Sequence, residues 1–376
     1  MDKQVDIAIV GGGIVGLAHA LAAAKRGYKV ALFEKNTFAA GASIRNFGMV
    51  WSIGQSPGKS YELALKSRNI WLELSQKAGF WHKPNGSLFL AYQQDEKKVL
   101  EEFVDTTAEY GYQACQILSP SEIKEISPAA KTEGLYGGMF SPTEVTINSR
   151  EAIQRITYYL SSVYGVAIHT GKAVCRIDSS KLYTGNEIWQ ADHIYVCNGS
   201  DFEILYPEFF EKSGIVKCKL QMMKTVAQAS NWQLGPSLAS GLTFRHYKSF
   251  SHCASIQQLI DRFASESPIF DQYGIHVLVG QNNHGEVLIG DSHQYTNDLN
   301  PFDQEEINRL ILEYLSKFAH IPRLQIQERW HGVYAKSQDK DYTVYQPEDH
   351  VTVVAGIGGG GMTLSFALAE ENLAKL

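Results

Sequence analysis

The chain has 376 residues, 44% of them hydrophobic and 20% charged, with a formal net charge of −6. That length holds two lobes with a sizeable core, and the mild acidity, without any lysine/arginine run, argues against a nucleic-acid-binding surface. The five cysteines are scattered and form no C-x-x-C pair, so neither a disulfide framework nor a zinc site is expected, and a reducing cytoplasm is the expected setting.

The first predicted unit is a strand at 5–9, a glycine-rich turn at 10–16 and a helix from Leu17. Gly11, Gly13 and Gly16 fit the pattern G-x-G-x-x-G. The first glycine permits the tight turn, the second lets a pyrophosphate approach the backbone, and the third lets helix and strand pack closely. A second strand, 28–33, ends at Glu34, 18 residues after Gly16. An acid there accepts hydrogen bonds from a ribose and repels a phosphorylated one. The stretch 7–24 carries no charge, but three consecutive glycines interrupt it and the preamble Met1-Asp2-Lys3-Gln4 is not basic. It reads as a βα unit, not as a membrane span or signal sequence.

Further along, 61–78 reads as a helix with Leu63, Ile70, Leu74 and Ala78 on one face, and 86–91 as a strand. Asn148 and Glu151 resemble a capping box, followed by Ile153, Ile156, Leu160 and Val163 on one stripe and ended by Gly165. Strand-like runs follow at 165–176, 187–197, 220–229, 275–279 and 287–289. Asp303 and Glu306 resemble a second helix start, before Ile307, Leu310, Ile311, Tyr314, Leu315 and Phe318.

The last unit repeats the first: a strand at 351–355, a glycine turn at 356–361 and a helix from Thr363. Each turn leaves bare N–H groups at the positive end of a helix dipole. One such turn suits a pyrophosphate; two suit a dinucleotide with a second electron-rich end, as in a flavin dinucleotide. The pattern predicts an α/β protein with a Rossmann-like FAD-binding domain (1–78, 142–206 and 328–376) and an interleaved α+β substrate domain (79–141 and 207–327). A nicotinamide dehydrogenase usually keeps its dinucleotide domain more contiguous, so the interleaving favours flavin.

Four motifs stand in order: the N-terminal turn with Glu34, Gly41-Ala42-Ser43-Ile44-Arg45-Asn46-Phe47-Gly48, the run 191–200 ending Cys197-Asn198-Gly199-Ser200, and the run 356–365. With them the chain resembles, over nearly its whole length, the D-amino-acid oxidase family of flavoenzymes, the group that includes glycine oxidase and sarcosine oxidase. The resemblance implies that Gly11, Gly13, Ile14, Val15, Gly16 and Glu34 hold the ADP half of FAD, with Lys35 near the adenosine and Val174 against adenine. It implies that Ala42, Ser43, Arg45 and Asn46 run beside the pyrophosphate and flavin ring. Asn198 and Gly199 cover the dinucleotide, and Gly358, Gly359, Gly360, Gly361, Met362 and Thr363 meet the pyrimidine end. No cysteine follows Cys253 and no histidine lies between His19 and His82, so the FAD is expected to be non-covalent.

The family chemistry implied is hydride removal from a carbon beside an amine nitrogen, giving an imine that hydrolyses, with oxygen or a quinone as electron acceptor. Many relatives carry Trp-x-Gly-x-Arg-Pro, whose arginine meets a substrate carboxylate; here the run is Trp330-His331-Gly332-Val333-Tyr334-Ala335-Lys336. Tyr334 occupies the arginine position, which argues against an ordinary α-amino acid. Lys336, Arg45 or Arg245 is then the candidate anion anchor, and His331 and Tyr334 are candidate pocket residues. Arg245-His246-Tyr247 is either a pocket wall or a solvated strand. The run 43–55 is similar to a branch linked with aminophosphonate breakdown, and arginine or lysine suits such an oxyanion.

For a lysine that assists oxygen, Lys217, Lys219, Lys224 and Lys248 are equal candidates. His169, His193 and His320 lack ligand spacing, and no metal is expected. Two alternatives stand beside the amine-oxidising reading: a hydroxylase-type monooxygenase, whose second signature Gly290-Asp291-Ser292-His293 partly resembles, and a non-catalytic FAD-binding protein.

Overall fold

The computed structural model describes residues 3–113 and 115–376; Met1 and Asp2 of the charged preamble lie outside the described residues. The apolar run Gln4–Val10 forms the centre of an eight-stranded sheet. It pairs in parallel with Glu187–Val196 on one side and Val30–Glu34 on the other. Ala167–Thr170 continues the parallel order beyond Val30–Glu34, and Val351–Ala355 does so beyond Glu187–Val196. Such strands are covered on both faces and therefore read as unbroken apolar runs. Ile7 and Ile9 pack under the helices Ile14–Lys25, Lys59–Ala78, Ser149–Tyr164 and Gly361–Leu373, while Ala8 and Val10 pack on the opposite layer with Trp189 and Phe202.

A nine-stranded, mostly antiparallel sheet builds the second lobe. Its order begins Gln294–Tyr295, Ile215–Thr225, Val287–Gly290, Leu278–Gln281, Ser237–Ser240 and Ser87–Ala91. Gln94–Thr106, Ile256–Glu266 and Glu305–Phe318 cover it, and Phe89, Phe103, Phe250 and Phe318 fill the core between them.

Several expectations need correction. Ile326–Ser337 is one long strand paired along Ile215–Thr225. The domain boundary drawn at 328 is therefore misplaced, because 328–337 belongs to the nine-stranded sheet. The polar and charged residues alternating through this strand hid it from a search for apolar runs. The strand expected at 220–229 starts earlier and ends at Thr225. Asn148 does cap its helix, but the return arm of the box is absent because the Glu151 carboxylate accepts from Asn283 instead. Asp303 is not a cap: the helix begins at Glu305, and the Asp303 carboxylate binds Lys219 and His331.

Candidate active site

At the N-terminal turn the glycines are required sterically. Gly11 has φ +106°, and a Cβ there would stand 2.3 Å from the Cys197 carbonyl oxygen. Gly13 caps the helix Ile14–Lys25, and its Cβ would press within 2.9 Å of Ser43 Oγ. That hydroxyl accepts a hydrogen bond from Ile14 N at 2.8 Å, tying the helix start to the 41–48 turn. Asn46 folds this turn by donating to the Ala42 and Ser43 carbonyls and accepting from Gly48 N. The Glu34 carboxylate is fixed at the strand end by Gly12 N and Asn36 N, both at 2.9 Å.

The C-terminal helix starts beside this turn. A Cβ on Gly361 would lie 3.7 Å from Ile14 Cγ2. Thr363 Oγ1 accepts from Trp51 N and the Met362 carbonyl from Trp71 Nε1, which seat the helix start on the rest of the lobe. Both helix starts open on one cavity of about 1120 Å³, larger than the 300–1,000 Å³ of an ordinary small-molecule pocket. All the residues expected at the dinucleotide line it except Gly16. Gly16 serves packing instead, since its Cβ would stand 1.9 Å from the Gly11 carbonyl oxygen. Lys35 lines the wall with its ammonium paired to Asp201. Asn198 Oδ1 and Asp201 Oδ1, on wall residues, are buried polar atoms without a partner in the described structure. A glycine cradle, two aligned helix dipoles and a ribose-spaced acid together fit FAD.

The far end of the cavity lies against the nine-stranded sheet. Arg245-His246-Tyr247 follows the helical turn Gly241–Phe244, so the segment is not a solvated strand. Leu242 and Phe244 anchor it in the core. Arg245 lines the cavity but is ion-paired with Asp271, which offsets its charge. His246 is open on the side of the cavity, and Tyr247 packs near Trp51.

Tyr334 and Lys336 are two residues apart on one strand and both reach the cavity. His331 has the opposite parity, binds Asp303 at 2.9 Å and does not line the cavity, so its expected place in the pocket is corrected. Arg45 lines the cavity while donating to the His331 carbonyl oxygen. The Lys336 side chain runs past Gly358, and burial, reinforced by Lys248, draws its pKa below the ordinary lysine value. Burial likewise pushes the Tyr334 phenol well above its ordinary value, leaving a neutral hydroxyl.

Of the four lysines weighed for oxygen, Lys217, Lys219 and Lys224 do not line the cavity and are ion-paired to Glu203, Asp303 and Glu286 respectively. Lys248 lines the cavity opposite Asp341.

Sequence reasoning missed His276, Asp291 and His293, all buried in the cavity wall. His276 and Asp291 face each other through two backbone hydrogen bonds, 3.2 and 2.8 Å. The His276 ring stacks on His246 at 3.8 Å and on His293 at 4.9 Å. Burial lowers His293 to about 4 and His276 well below the ordinary value; His246, though exposed on its cavity side, is also lowered well below it by the desolvating wall and by the neighbouring His293, Lys336 and Arg245. Burial also raises the Asp291 carboxyl well above its usual range. The only signal in the sequence was Gly290-Asp291-Ser292-His293, noted for its partial likeness to a hydroxylase signature. The strand Val287–Gly290 places it in the substrate sheet, away from the glycine turns, which removes that motif's support for the hydroxylase alternative.

A Rossmann-type sheet whose two glycine-rich helix starts share a cavity with a second, mixed-sheet lobe defines a flavin-dependent oxidoreductase. Residues 6–374 match the family model described as "DAO: FAD dependent oxidoreductase". The chain belongs to this family and is an FAD-dependent oxidoreductase. It is 24% identical to glycine oxidase of Geobacillus kaustophilus (strain HTA426), covering 97% of this chain and 91% of that protein. Identity with gamma-glutamylputrescine oxidoreductase of Escherichia coli (strain K12) is 23%, over 99% of this chain and 83% of that protein. Among solved structures, L-proline dehydrogenase from P. horikoshii superposes with a TM-score of 0.79 at 22% identity, covering 100% of this chain and 94% of that one. Among the described residues no helix is long and apolar enough to cross a membrane.

Proposed function

We propose that this protein oxidises the C–N bond of a small primary or secondary amine that carries an anionic group, with an aminoalkylphosphonate or its N-methyl form as the leading substrate class. The observation that carries this reading is the continuity of one cavity from the two glycine-rich helix starts to Tyr334, Lys336 and His246. Two of the relatives are named for glycine and gamma-glutamylputrescine, which supports an amine or amino acid as substrate. FAD, which the two glycine turns would hold without a covalent link, would supply the hydride acceptor for the carbon beside the amine nitrogen. The substrate would leave as an imine that water hydrolyses to a carbonyl compound and the amine fragment, and oxygen or a quinone would take up the electrons.

The protein's part is positional and electrostatic. The start of helix Gly361–Leu373, which lines the cavity, would offer its positive end to a bound flavin's pyrimidine edge, where negative charge builds on reduction. Lys336 is the anion anchor, placed where the family's carboxylate-binding arginine is replaced by Tyr334. A lysine ammonium binds a phosphonate as a point charge. Phe47, Met49, Trp51 and Leu278 supply apolar wall that keeps water from the reacting carbon. All five cysteines are free, which suits a reducing cytoplasm.

The test is anaerobic mixing of the yellow protein with 2-(methylamino)ethylphosphonate, 2-aminoethylphosphonate, sarcosine and glycine while flavin absorbance is followed. Bleaching by a phosphonate at lower concentration than by sarcosine is expected. Bleaching by the carboxylates alone would reassign the substrate class. No bleaching by any amine at millimolar concentration would favour a non-catalytic FAD-binding protein.

A further inference from the structure

We propose that His246, His276 and His293, with Asp291, form a site for one divalent transition-metal ion, zinc or a first-row neighbour, at the substrate end of the cavity. Each histidine offers one ring nitrogen, and these atoms all lie within 4.8 Å of one another. Two ligand atoms each about 2.1 Å from one tetrahedral ion stand about 3.4 Å apart. His276 Nε2 and Asp291 Oδ1 are already at 3.3 Å, and His293 Nε2 and Asp291 Oδ2 at 3.9 Å. Of the three rings, His246 is the one exposed towards the cavity.

The surroundings are those of a prepared ligand set. His293 Nδ1 donates to the Gly274 carbonyl at 3.0 Å, which leaves Nε2, 3.9 Å from Asp291 Oδ2, as the unprotonated nitrogen of the neutral ring. An imidazole fixed in this way through its other nitrogen is the usual outer support of a metal-binding histidine. His276 and the Asp291 segment are zipped by their paired backbone bonds, and His293 N is held by the Tyr273 carbonyl.

His276 Nδ1 is buried without a hydrogen-bond partner among the described residues, on a residue only 3% exposed, and Asp291 Oδ1, on a residue 6% exposed, has His276 Nε2 at 3.3 Å but no hydrogen bond of good geometry. A carboxylate enclosed by imidazoles is costly unless a cation balances it. Three nitrogens and one carboxylate select a borderline ion over magnesium or calcium, which require mostly oxygen.

Of the cations near these rings, Arg245 is ion-paired with Asp271. The assignment does not depend on which amine is oxidised.

The experiment uses the FAD-loaded protein. Metal content is measured by elemental analysis as purified, after stripping with dipicolinate, and after titration with Zn²⁺ or Co²⁺. The Co²⁺ d–d bands are read at wavelengths beyond the flavin absorption. About one ion per chain is expected, with His276→Ala weakening Co²⁺ binding by at least about 10–100-fold while the flavin spectrum persists. His246→Gln serves if His276→Ala does not fold. His284→Ala, an exposed histidine outside this cavity, is the control. Failure to take up either ion at tenfold excess, or uptake unchanged in the cluster variants, would overturn the proposal. So would a flavin shift with inorganic phosphate in the absence of metal uptake, which would make the cluster an anion subsite.

Discussion

His19 Nε2 and Asn372 Nδ2 lie 3.1 Å apart in a buried hydrogen bond that spans 353 residues of sequence. His19 Nδ1 is 2.7 Å from the Val15 carbonyl oxygen, which can only accept. The ring therefore donates through Nδ1 and accepts from Asn372 through Nε2. The bond joins the helices Ile14–Lys25 and Gly361–Leu373, whose N-terminal ends both open on the cavity.

This pair predicts acid lability. Burial lowers the His19 pKa from 6.5 to about 4. Below pH 6.5 the unfolded chain gains a proton that folded His19 refuses, so stability falls with pH until about pH 4. The loss approaches about 3 kcal/mol from this group. Thermal unfolding of the FAD-loaded protein across this range measures it. His19→Leu should be less stable at neutral pH but should show a flatter decline on acidification.

Gly13→Ala should weaken FAD binding without unfolding the lobe. The new methyl pushes on Ser43 Oγ, a side-chain atom that can shift at the expense of the Ile14 N hydrogen bond. A rise in the FAD dissociation constant of roughly tenfold, or about 1–2 kcal/mol, is expected. Gly11→Ala meets a backbone carbonyl at positive φ and should fail to load FAD. Flavin absorbance against protein concentration separates the two outcomes.

Glu34→Gln should retain most FAD affinity, because an amide oxygen still accepts. Glu34→Ala leaves Gly12 N and Asn36 N without their acceptor and should cost about 1–3 kcal/mol. Flavin fluorescence on titration of apoprotein with FAD checks both.

Lys336→Met should raise KM for an anion-bearing amine by tenfold or more while changing kcat less, and should leave an uncharged amine largely unaffected. The wild-type KM for the anionic substrate should itself rise with pH, beginning below the ordinary lysine range, because the buried ammonium loses its proton early. Steady-state kinetics with matched charged and neutral amines decide this.

Acid precipitation should release all flavin into the supernatant. Colour retained in the washed pellet would instead show a covalent link. The cysteine on the cavity wall, Cys197, is buried and its thiol is pushed far above the ordinary value, which disfavours a reactive thiolate.

The dinucleotide half of the site was legible because its determinants are local. Gly11, Gly13 and Glu34 follow one strand–turn–helix–strand unit, and the 356–361 turn repeats the pattern. The substrate half was not. His246, His276, Asp291, His293 and Lys336 come from separate segments that meet only through antiparallel pairing and a helical turn. His276 has no spacing relation to His246 that marks a site, since their contact is made by the sheet. Arg245 and His331 show the limit from the other side: both types suit an anion, yet one is paired with Asp271 and the other turns to Asp303. The course of the long strand Ile326–Ser337 brings 332–336 to the cavity and leaves Trp330 and His331 off it.

The placement of Val351–Ala355 and Gly361–Leu373 in the N-terminal lobe has a consequence for biosynthesis. While residues 351–373 remain in the ribosome, the first helix lacks the neighbour that covers its apolar flank, and the nucleotide cradle lacks one wall. Coenzyme capture is therefore a late event, following emergence of the final strand and helix. Until then the nascent polypeptide presents an adhesive surface that suits chaperone protection.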